Sequence, residues 1–132
     1  MRPSLSSHAI SVEFEHTGDV IVRGYANEYA QVLLNIINNA KDVLIARHIE
    51  SPRIKFRLSQ ENGHSVVTVR DNGGGIDAEI LPKIFDPYFT TKDKLQGSGI
   101  GLYMSKAIIE ENMGGSLTSC NVDNGAQFRI ML

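Results

Sequence analysis

Residues 71–76 have the sequence Asp-Asn-Gly-Gly-Gly-Ile and follow a valine-rich run at 66–69. The run predicts a β-strand, in which successive side chains point to opposite faces. Val67, Val69 and Asp71 then share one face, which places a carboxylate at the end of the strand, on its apolar face. A carboxylate is costly to bury unless it accepts hydrogen bonds, and glycines let the backbone approach a ligand closely. The segment therefore predicts a binding site for a ligand with a hydrogen-bond donor.

A second polar cluster, Asn35, Asn39 and Asp42, lies in a segment whose apolar residues recur at helical spacing. Steps of four and three residues put these side chains on one face of the helix. One interpretation is an ordinary solvated helix face. The alternative is a metal and phosphate site, because an amide oxygen can bind Mg²⁺, which completes its octahedron with water and substrate phosphates. The sequence leaves both interpretations open.

Residues 97–101, Gly-Ser-Gly-Ile-Gly, open a second helical pattern. Alternate glycines at a helix start expose backbone N–H groups that, with the helix dipole, can bind an anion. A flexible hinge is the alternative interpretation. No Gly-Lys-Ser/Thr follows, so this is not a Walker motif. In the polar segment before it, Lys92 and Lys94 either reach a phosphate or are solvated, and three aromatic residues at 85–89 predict anchors for that segment.

Two other motifs are rejected on context. Residues 73–78 match Gly-x-Gly-x-x-Ala, a dinucleotide-binding fingerprint that needs a parallel strand–helix–strand unit. Here a hairpin signal at 61–63 precedes the strand, and Pro82 shortens any helix. A calcium loop is excluded because Gly73 and Gly75 occupy positions where oxygen-bearing side chains are needed.

The remaining pattern predicts the elements that position these residues. Strands are expected near 11–15, 20–22, 54–58, 66–71, 117–122 and 127–131, helices over 27–47 and from residue 100 to the glycine pair at 114–115, and one or two helical turns over 78–84. Asn27 is the expected N-cap of the first helix, residues 61–63 and 123–125 are hairpin turns, and 86–96 is an exposed loop. This pattern indicates an α+β fold: a two-layer α/β sandwich in which about three helices cover one face of a mixed, mostly antiparallel sheet.

Composition narrows the class of protein. The chain of 132 residues suits one domain, and its formal net charge is -2. A protein that coats nucleic acid needs a basic surface, so we expect no nucleic-acid partner. The single cysteine, Cys120, favours a reducing compartment. The lack of a long apolar run argues against membrane contact by this domain, and a cytoplasmic location is expected.

Taken in order, these segments resemble the catalytic ATP-binding domain of sensor histidine kinases, within the GHKL superfamily shared with gyrase, MutL-type repair proteins and heat-shock chaperones. Residues 35–42 resemble the N box, 71–75 the first glycine box, 85–89 the F box and 97–101 the second glycine box. Gly125 with its flanking strand resembles the last glycine element. Four boxes in this order, over nearly the whole chain, carry the resemblance.

The resemblance implies a fold of the GHKL ATPase type with a mobile ATP lid, and ATP and Mg²⁺ as cofactors. Asn39 would bind Mg²⁺, and Asp71 would accept a hydrogen bond from the adenine amino group, its carboxylate being left unpaired by the protein. Gly73 and Gly75 would let adenine approach the backbone, and Lys92 would be a lid cation near the terminal phosphate. The implied ATP-binding residues are Asn35, Asn39, Asp42, Asp71, Gly73, Gly75, Ile76, Phe85, Thr91, Lys92, Gly97, Ser98, Gly99, Ile100, Gly101 and Leu102.

Two positions distinguish between relatives. The superfamily's ATP hydrolases carry a Glu general base one turn before the Mg²⁺-binding Asn, where this chain has Asn35. An amide cannot take up a proton at neutral pH, so rapid hydrolysis is not expected. Many histidine kinases carry Lys or Arg three residues after that Asn. Asp42 stands there in this chain, with the lysine displaced to Lys41, which resembles the nitrogen-regulation type of kinase.

The phosphoacceptor is expected on another domain. The four histidines, none in a helical His-Glu or His-Asp context, are His8, His16, His48 and His64. No catalytic residue is therefore assigned in this chain; residues 1–7 are expected to be a linker, and 8–132 the catalytic domain. The implied partners are a dimerisation and phosphoacceptor domain and, indirectly, a response regulator. We expect the isolated domain to be a monomer and its parent a homodimer, with or without a membrane anchor. A docking module that binds ATP without phosphotransfer and a stand-alone ATPase are the alternatives.

Overall fold

A computed structural model of the chain describes residues 10–16, 26–87 and 101–132. The strands in this part of the chain are β1 (Ser11–His16), β2 (Arg53–Glu61), β3 (His64–Asp71), β4 (Ser116–Val122) and β5 (Gly125–Met131). The helices are α1 (Ala26–Ala46) and α2 (Gly101–Ala107), which continues as a π-helical turn (Ile108–Asn112), and a 3₁₀ turn spans Leu81–Lys83. The predicted strand at 20–22 and most of the predicted loop at 86–96 lie outside the described residues.

The strands form one mixed sheet in the order β1-β2-β3-β5-β4. β1 pairs with β2 in parallel, and all other neighbours pair antiparallel. The β2–β3 hairpin puts Ile54 opposite Asp71, and the β3–β5 ladder puts Val69 opposite Phe128. The prediction of a mixed, mostly antiparallel sheet is confirmed. Because β3 is the second strand of a hairpin, the glycines after it do not belong to a parallel strand–helix–strand unit.

One face of the sheet carries the helices and the hydrophobic core. Its fully buried side chains come from both layers and include Val32, Ile36, Leu44, Ile54, Val69, Ile109, Leu117, Phe128 and Ile130. The opposite face carries charged side chains such as Arg57, Arg70 and Arg129. The fold is therefore the expected two-layer α+β sandwich. The described part of the chain has two α-helices and one 3₁₀ turn, where about three helices were expected.

Helix α1 forms because Val32, Ile36, Ala40 and Leu44 recur at helical spacing and pack against the sheet. It begins at Ala26, so Asn27 lies in its first turn and the prediction that Asn27 is the N-cap is wrong. The preference for a capping residue is small compared with the burial of a whole helix face, and helix starts therefore shift by a residue or two. The helix ends before the proline at position 52, as predicted.

Both predicted hairpin turns are confirmed. Asn62 and Gly63 have φ values of 51° and 82°, and Asp123 and Asn124 have φ values of 26° and 64°. These left-handed values are the ones that a tight two-residue hairpin turn requires. Gly125 belongs to β5 as its first residue, so its role is not to make the turn.

The second helical segment ends at the predicted glycine pair, but its last turn is π-helical, which was not predicted. Gly114 has a φ of 72°, and the N–H of Gly115 donates to the carbonyl oxygen of Ile109 at 2.9 Å, a typical C-terminal stop. In the π-helical turn the N–H of Met113 donates to the carbonyl oxygen of Ile108 at 3.1 Å. None of the described helices has the length and apolar character needed to cross a bilayer.

Candidate functional site

Asp71 is the last residue of β3 and is buried, with 7% of its surface exposed. Its Oδ1 accepts hydrogen bonds from the backbone N–H groups of Gly73, at 2.8 Å, and Ala126, at 3.4 Å. The expectation of a carboxylate left unpaired by the protein is therefore wrong for Oδ1, because the chain turns at Gly73 and directs that N–H back at it. No described residue donates a hydrogen bond to Oδ2, which remains available to a ligand.

Burial raises the pKa of Asp71 above its ordinary value, because water no longer stabilises the charged form. Three groups act in the opposite direction and lower this pKa: the N–H groups of Gly73 and Ala126, and the positive charge of Arg47. Burial is the largest of these effects. A carboxylate held against such a desolvation cost is typical of a functional site.

The glycine turn after Asp71 is held by Arg47, which directly follows α1. Arg47 Nη1 donates to the carbonyl oxygens of Gly73, at 2.6 Å, and Gly75, at 2.8 Å. Gly74 and Gly75 have φ values of 97° and 86°, a backbone conformation that strongly favours glycine. Glycine loses more conformational entropy on ordering than other residues. The two hydrogen bonds therefore stabilise a turn whose own sequence leaves it mobile.

The β4–β5 hairpin holds the other side of the same turn. Asn121 accepts a hydrogen bond from the N–H of Ile76 and donates one to its carbonyl oxygen, both at 2.7 Å. The N–H of Gly74 donates to the carbonyl oxygen of Asn124 at 2.6 Å. A side-chain amide that both donates and accepts can replace the backbone partner that a neighbouring strand would supply. Residues 73–76 thus have a fixed shape set from two sides.

Two glycines at the site are required by lack of space. A Cβ on Gly125 would overlap the carbonyl oxygen of Asp71, so β5 can approach the end of β3 only without a side chain at this position. A Cβ on Gly73 would lie 2.9 Å from Val43 Cγ1 and 3.1 Å from Asp71 Oδ1. Both glycines therefore allow protein segments to close around the carboxylate.

Of the polar side chains on one face of α1, Asn35 makes hydrogen bonds within the protein. Asn35 Nδ2 donates to the carbonyl oxygen of Gly101, at 3.3 Å, and to Ser105 Oγ, at 3.0 Å. Asn35 Oδ1 accepts a hydrogen bond from Gln31 at 3.1 Å. Asn35 thus joins α1 to the first turn of α2, so the interpretation as a simple solvated face does not apply to it.

Asn39 and Asp42 are half-buried on the same face of α1. Within the described residues there is no group of three or more His, Cys, Asp or Glu side chains that could hold a metal ion. This face of the helix offers the amide oxygen of Asn39 and the carboxylate of Asp42. That donor set suits Mg²⁺, which usually keeps several waters and is bound through one or two side chains together with substrate phosphates.

Phe85 follows the 3₁₀ turn and packs against the sheet. Its ring packs edge-on against Phe128, with the ring centroids 6.2 Å apart, and Lys106 Nζ lies 4.8 Å from the Phe85 ring centroid. The predicted aromatic anchor is confirmed for this residue. Gly101 and Leu102 are the first residues of α2. The other predicted site residues, Thr91, Lys92, Gly97, Ser98, Gly99 and Ile100, lie outside the described part of the chain.

Sequence reasoning missed three residues that shape the site: Arg47, Asn121 and Asn72. Asn72 Nδ2 donates to the carbonyl oxygen of Ser51 at 3.0 Å, and its Oδ1 accepts from the N–H of Arg53 at 2.7 Å. These bonds tie the glycine turn to the start of β2. No spacing or neighbouring motif marks Arg47 or Asn121. Asn72 lies within the glycine box, but its two partners are 19 and 21 positions away in the sequence, so its contacts could not be predicted from the motif.

Residues 24–132 match the family of histidine kinase-, DNA gyrase B- and HSP90-like ATPases, and the chain belongs to this family. It is 41% identical over 132 residues to the two-component sensor PprA of Pseudomonas aeruginosa, covering 97% of this chain and 14% of PprA. It is 33% identical over 135 residues to the sensor kinase CckA of Brucella abortus, covering 93% of this chain and 14% of CckA. The chain therefore spans only a small part of the length of such sensors.

Within the family, the fold is that of histidine kinase catalytic domains. The solved catalytic domain of histidine kinase ThkA superposes with a TM-score of 0.85 at 30% identity, covering 99% of this chain and 83% of that domain. A further structure contains ThkA in complex with the response regulator TrrA, and there the TM-score is 0.78 at 28% identity, covering 99% of this chain and 36% of that chain. The predicted family and fold class are thus confirmed.

Proposed function

We propose that this chain is the ATP- and Mg²⁺-binding catalytic domain of a two-component sensor histidine kinase. It presents the terminal phosphate of ATP to a histidine on a separate dimerisation and phosphoacceptor domain. The observation that carries the proposal is the buried carboxylate of Asp71, whose Oδ2 is not used by any described residue and lies beside an ordered glycine turn. The relationship to histidine kinase catalytic domains supports it.

At the base end of the site, Asp71 Oδ2 accepts a hydrogen bond from the adenine amino group. Charge-assisted hydrogen bonds of this kind contribute about 1.5–3 kcal/mol. The turn through Gly73 and Gly75 gives the base a backbone surface, and a Cβ at either position would meet the protein itself, Val43 for Gly73 and Asn121 for Gly75. Ile76 and Leu102, both half-buried against the core, supply apolar contact. The hydrogen bonds that Arg47 and Asn121 make to this turn reduce the conformational entropy that it loses on binding.

At the phosphate end, Asn39 is the proposed Mg²⁺ ligand, with Asp42 on the same helix face. When bound, Mg²⁺ neutralises charge on the phosphates. The remaining phosphate contacts are assigned to the glycine-rich segment 97–101 together with Thr91 and Lys92, because alternate glycines before a helix can offer N–H groups to an anion. Asn35 acts by holding the start of α2, because its amide donates to the carbonyl oxygen of Gly101 and to Ser105.

The contribution of this domain is positioning and electrostatics, which phosphoryl transfer chiefly demands. Asn35 cannot serve as a general base, and its hydrogen bonds fix it against α2. We therefore propose slow intrinsic hydrolysis and transfer to an external histidine.

The finer assignments follow the resemblance of the chain to its relatives. Asp42 with Lys41 supports the nitrogen-regulation-like type of kinase. Residues 1–7 form a linker, residues 8–132 form the domain, and the parent is a cytoplasmic or membrane-anchored homodimer. A response regulator is the indirect partner, as the complex of ThkA with TrrA illustrates for that kinase.

The decisive experiment mixes the chain with the phosphoacceptor domain of its parent protein and γ-labelled ATP with Mg²⁺. We expect label on the phosphoacceptor domain, lost when its helical histidine is replaced with alanine or when Asp71→Asn is used. Nucleotide binding without labelling would identify a docking module instead. Rapid steady-state phosphate release without any acceptor would identify a stand-alone ATPase.

A further inference from the structure

The glycine turn at 73–75 has two anchors of different chemistry. Arg47 holds it with a positive charge, and Asn121 holds it, through Ile76, with a neutral amide. Among the described residues, Arg47 is also the charged group that acts on Asp71. This difference allows a purely structural contact to be distinguished from one that supports ligand binding.

We infer that Arg47 is a positioning residue for the nucleotide base: it fixes the turn that the base approaches, and its charge keeps Asp71 able to accept the amino group. The inference rests on the proposed function, because it gives Arg47 a part in binding adenine nucleotides at that site. Arg47 acts through Gly73, Gly75 and Asp71 and need not touch the ligand itself.

The geometry shows why the turn needs a cation. A single nitrogen, Arg47 Nη1, makes both hydrogen bonds, so the carbonyl groups of Gly73 and Gly75 converge on one point. Two carbonyl dipoles directed at one point repel each other unless a hydrogen-bond donor lies between them, and a positively charged donor attracts both oxygens most strongly. Gly74 lies between the two carbonyls with a φ of 97°, and a Cβ there would be 3.2 Å from Nη1. Without Arg47 the three glycines have many alternative conformations.

The charge of Arg47 matters because Asp71 is buried. Burial raises the pKa of Asp71, while the N–H groups of Gly73 and Ala126 and the guanidinium of Arg47 lower it. These are the groups that act on the carboxylate from the turn, from β5 and from the end of α1. Binding needs the ionised carboxylate, so affinity falls as the pH falls through the pKa of Asp71. Removing the positive charge raises this pKa, and the loss of affinity then begins at a higher pH.

Four variants of the 132-residue chain test the inference. Arg47→Gln removes the charge but keeps a donor, and Arg47→Lys keeps the charge. Asn121→Ala removes the neutral anchor of the same turn. Arg57→Gln, an exposed arginine on the helix-free face of the sheet, is the matched control. The affinity for ADP with Mg²⁺ is measured by calorimetry from about pH 4, near the ordinary pKa of an aspartate carboxyl, to about pH 8.5.

We expect Arg47→Gln to weaken ADP binding about five- to tenfold at the alkaline end, where a partly exposed charge-assisted contact is lost. The factor should grow as the pH falls. Asn121→Ala should weaken ADP binding by a factor that does not change with pH. Arg47→Lys should keep the wild-type pH profile of ADP affinity. Arg57→Gln should bind ADP as tightly as wild type at every pH. Titration of the nucleotide itself is common to all variants and cancels in these ratios.

A loss in Arg47→Gln that does not change with pH, or no loss, would overturn the inference. If Arg47→Gln shows no cooperative thermal transition, Arg47→Lys decides: an unchanged pH profile supports the inference, and a profile displaced to higher pH overturns it. Wild-type chain that binds no ADP at any pH would overturn the proposed function and this inference together. Wild-type binding with an unaffected Arg47→Gln variant would overturn this inference alone.

Discussion

Asp71→Asn separates what this carboxylate does for the ligand from what it does for the fold. The two side chains have the same shape, and Asp71 is only 7% exposed, so the substitution creates no cavity. The N–H groups of Gly73 and Ala126 still need an acceptor at the Oδ1 position. The new amide therefore places its oxygen there and its NH₂ group where Oδ2 stood. A donor then faces the adenine amino group, which is also a donor.

The expected loss of nucleotide affinity has two parts. A charge-assisted hydrogen bond worth about 1.5–3 kcal/mol is removed, and two facing donors without partners cost about 1–3 kcal/mol more. The sum, about 2.5–6 kcal/mol, corresponds to roughly two to four orders of magnitude in the dissociation constant. Binding at ordinary assay concentrations should therefore be lost.

For the stability of the fold, the expected sign is the opposite. Because the pKa of Asp71 is raised in the folded state, its contribution to stability is present below the unfolded-state pKa and is lost as the pH rises through the folded-state pKa. Above the folded-state pKa the ionised carboxylate thus destabilises the folded chain, and a neutral amide removes that cost. Without nucleotide, the thermal midpoint of Asp71→Asn should equal or exceed that of wild type.

Thermal denaturation with and without ADP and Mg²⁺ tests both expectations. Ligand at one hundred times Kd stabilises the folded state by about 2.7 kcal/mol, which raises the midpoint of a domain of this size by about 8–12 °C. Wild type and Asp77→Asn, a control at an exposed carboxylate, should show this shift, and Asp71→Asn should not. A lower midpoint of Asp71→Asn without nucleotide, or a ligand-induced shift equal to that of wild type, would refute the reasoning.

Three further predictions concern other residues of the site. Gly125→Ala should lower the free energy of unfolding by about 2 kcal/mol or more, because its Cβ would overlap a backbone oxygen at the end of β3. Gly63→Ala is the control: a Cβ there meets no atom within 4 Å, so the free energy of unfolding should fall by only about 1 kcal/mol, because of the positive φ. Urea denaturation of the two variants compares these losses. Asn35→Ala should lower stability by about 1–3 kcal/mol, since the buried hydroxyl of Ser105 loses a partner; an unchanged urea midpoint would contradict this. Asn39→Ala should weaken nucleotide binding mainly when Mg²⁺ is present, and equal calorimetric losses with and without the metal would argue against a ligand role.

The sheet and its turns could be predicted because their signals are local in the sequence. Alternation along β3 placed Val67, Val69 and Asp71 on one face, and all three are buried. The turns at 61–63 and 123–125 contain residues that tolerate left-handed backbone, and they adopt it.

The contacts that shape the site could not be predicted, because tertiary packing and not spacing brings their partners together. Arg47 lies 26 and 28 positions from the carbonyl groups that it holds, and Asn121 lies 45 positions from Ile76. A polar side chain at the end of an element is more often solvated. The π-helical turn at Ile108–Asn112, which contains the fully buried Ile109, was not predicted either.

Three departures from ordinary folding preferences coincide around Asp71. A carboxylate is buried with a raised pKa, Gly74 and Gly75 adopt left-handed backbone, and Gly125 must lack a side chain for β5 to approach. Each departure lowers stability or restricts the sequence, and none improves the packing of the core. A segment with only a structural role could satisfy the N–H groups of Gly73 and Ala126 with a neutral acceptor at position 71, and it would be more stable with an ordinary turn. The concentration of these costs in one place locates a functional site without reference to any relative. A substitution at position 71 that raises stability and abolishes nucleotide binding would therefore test the site assignment more directly than a loss of activity.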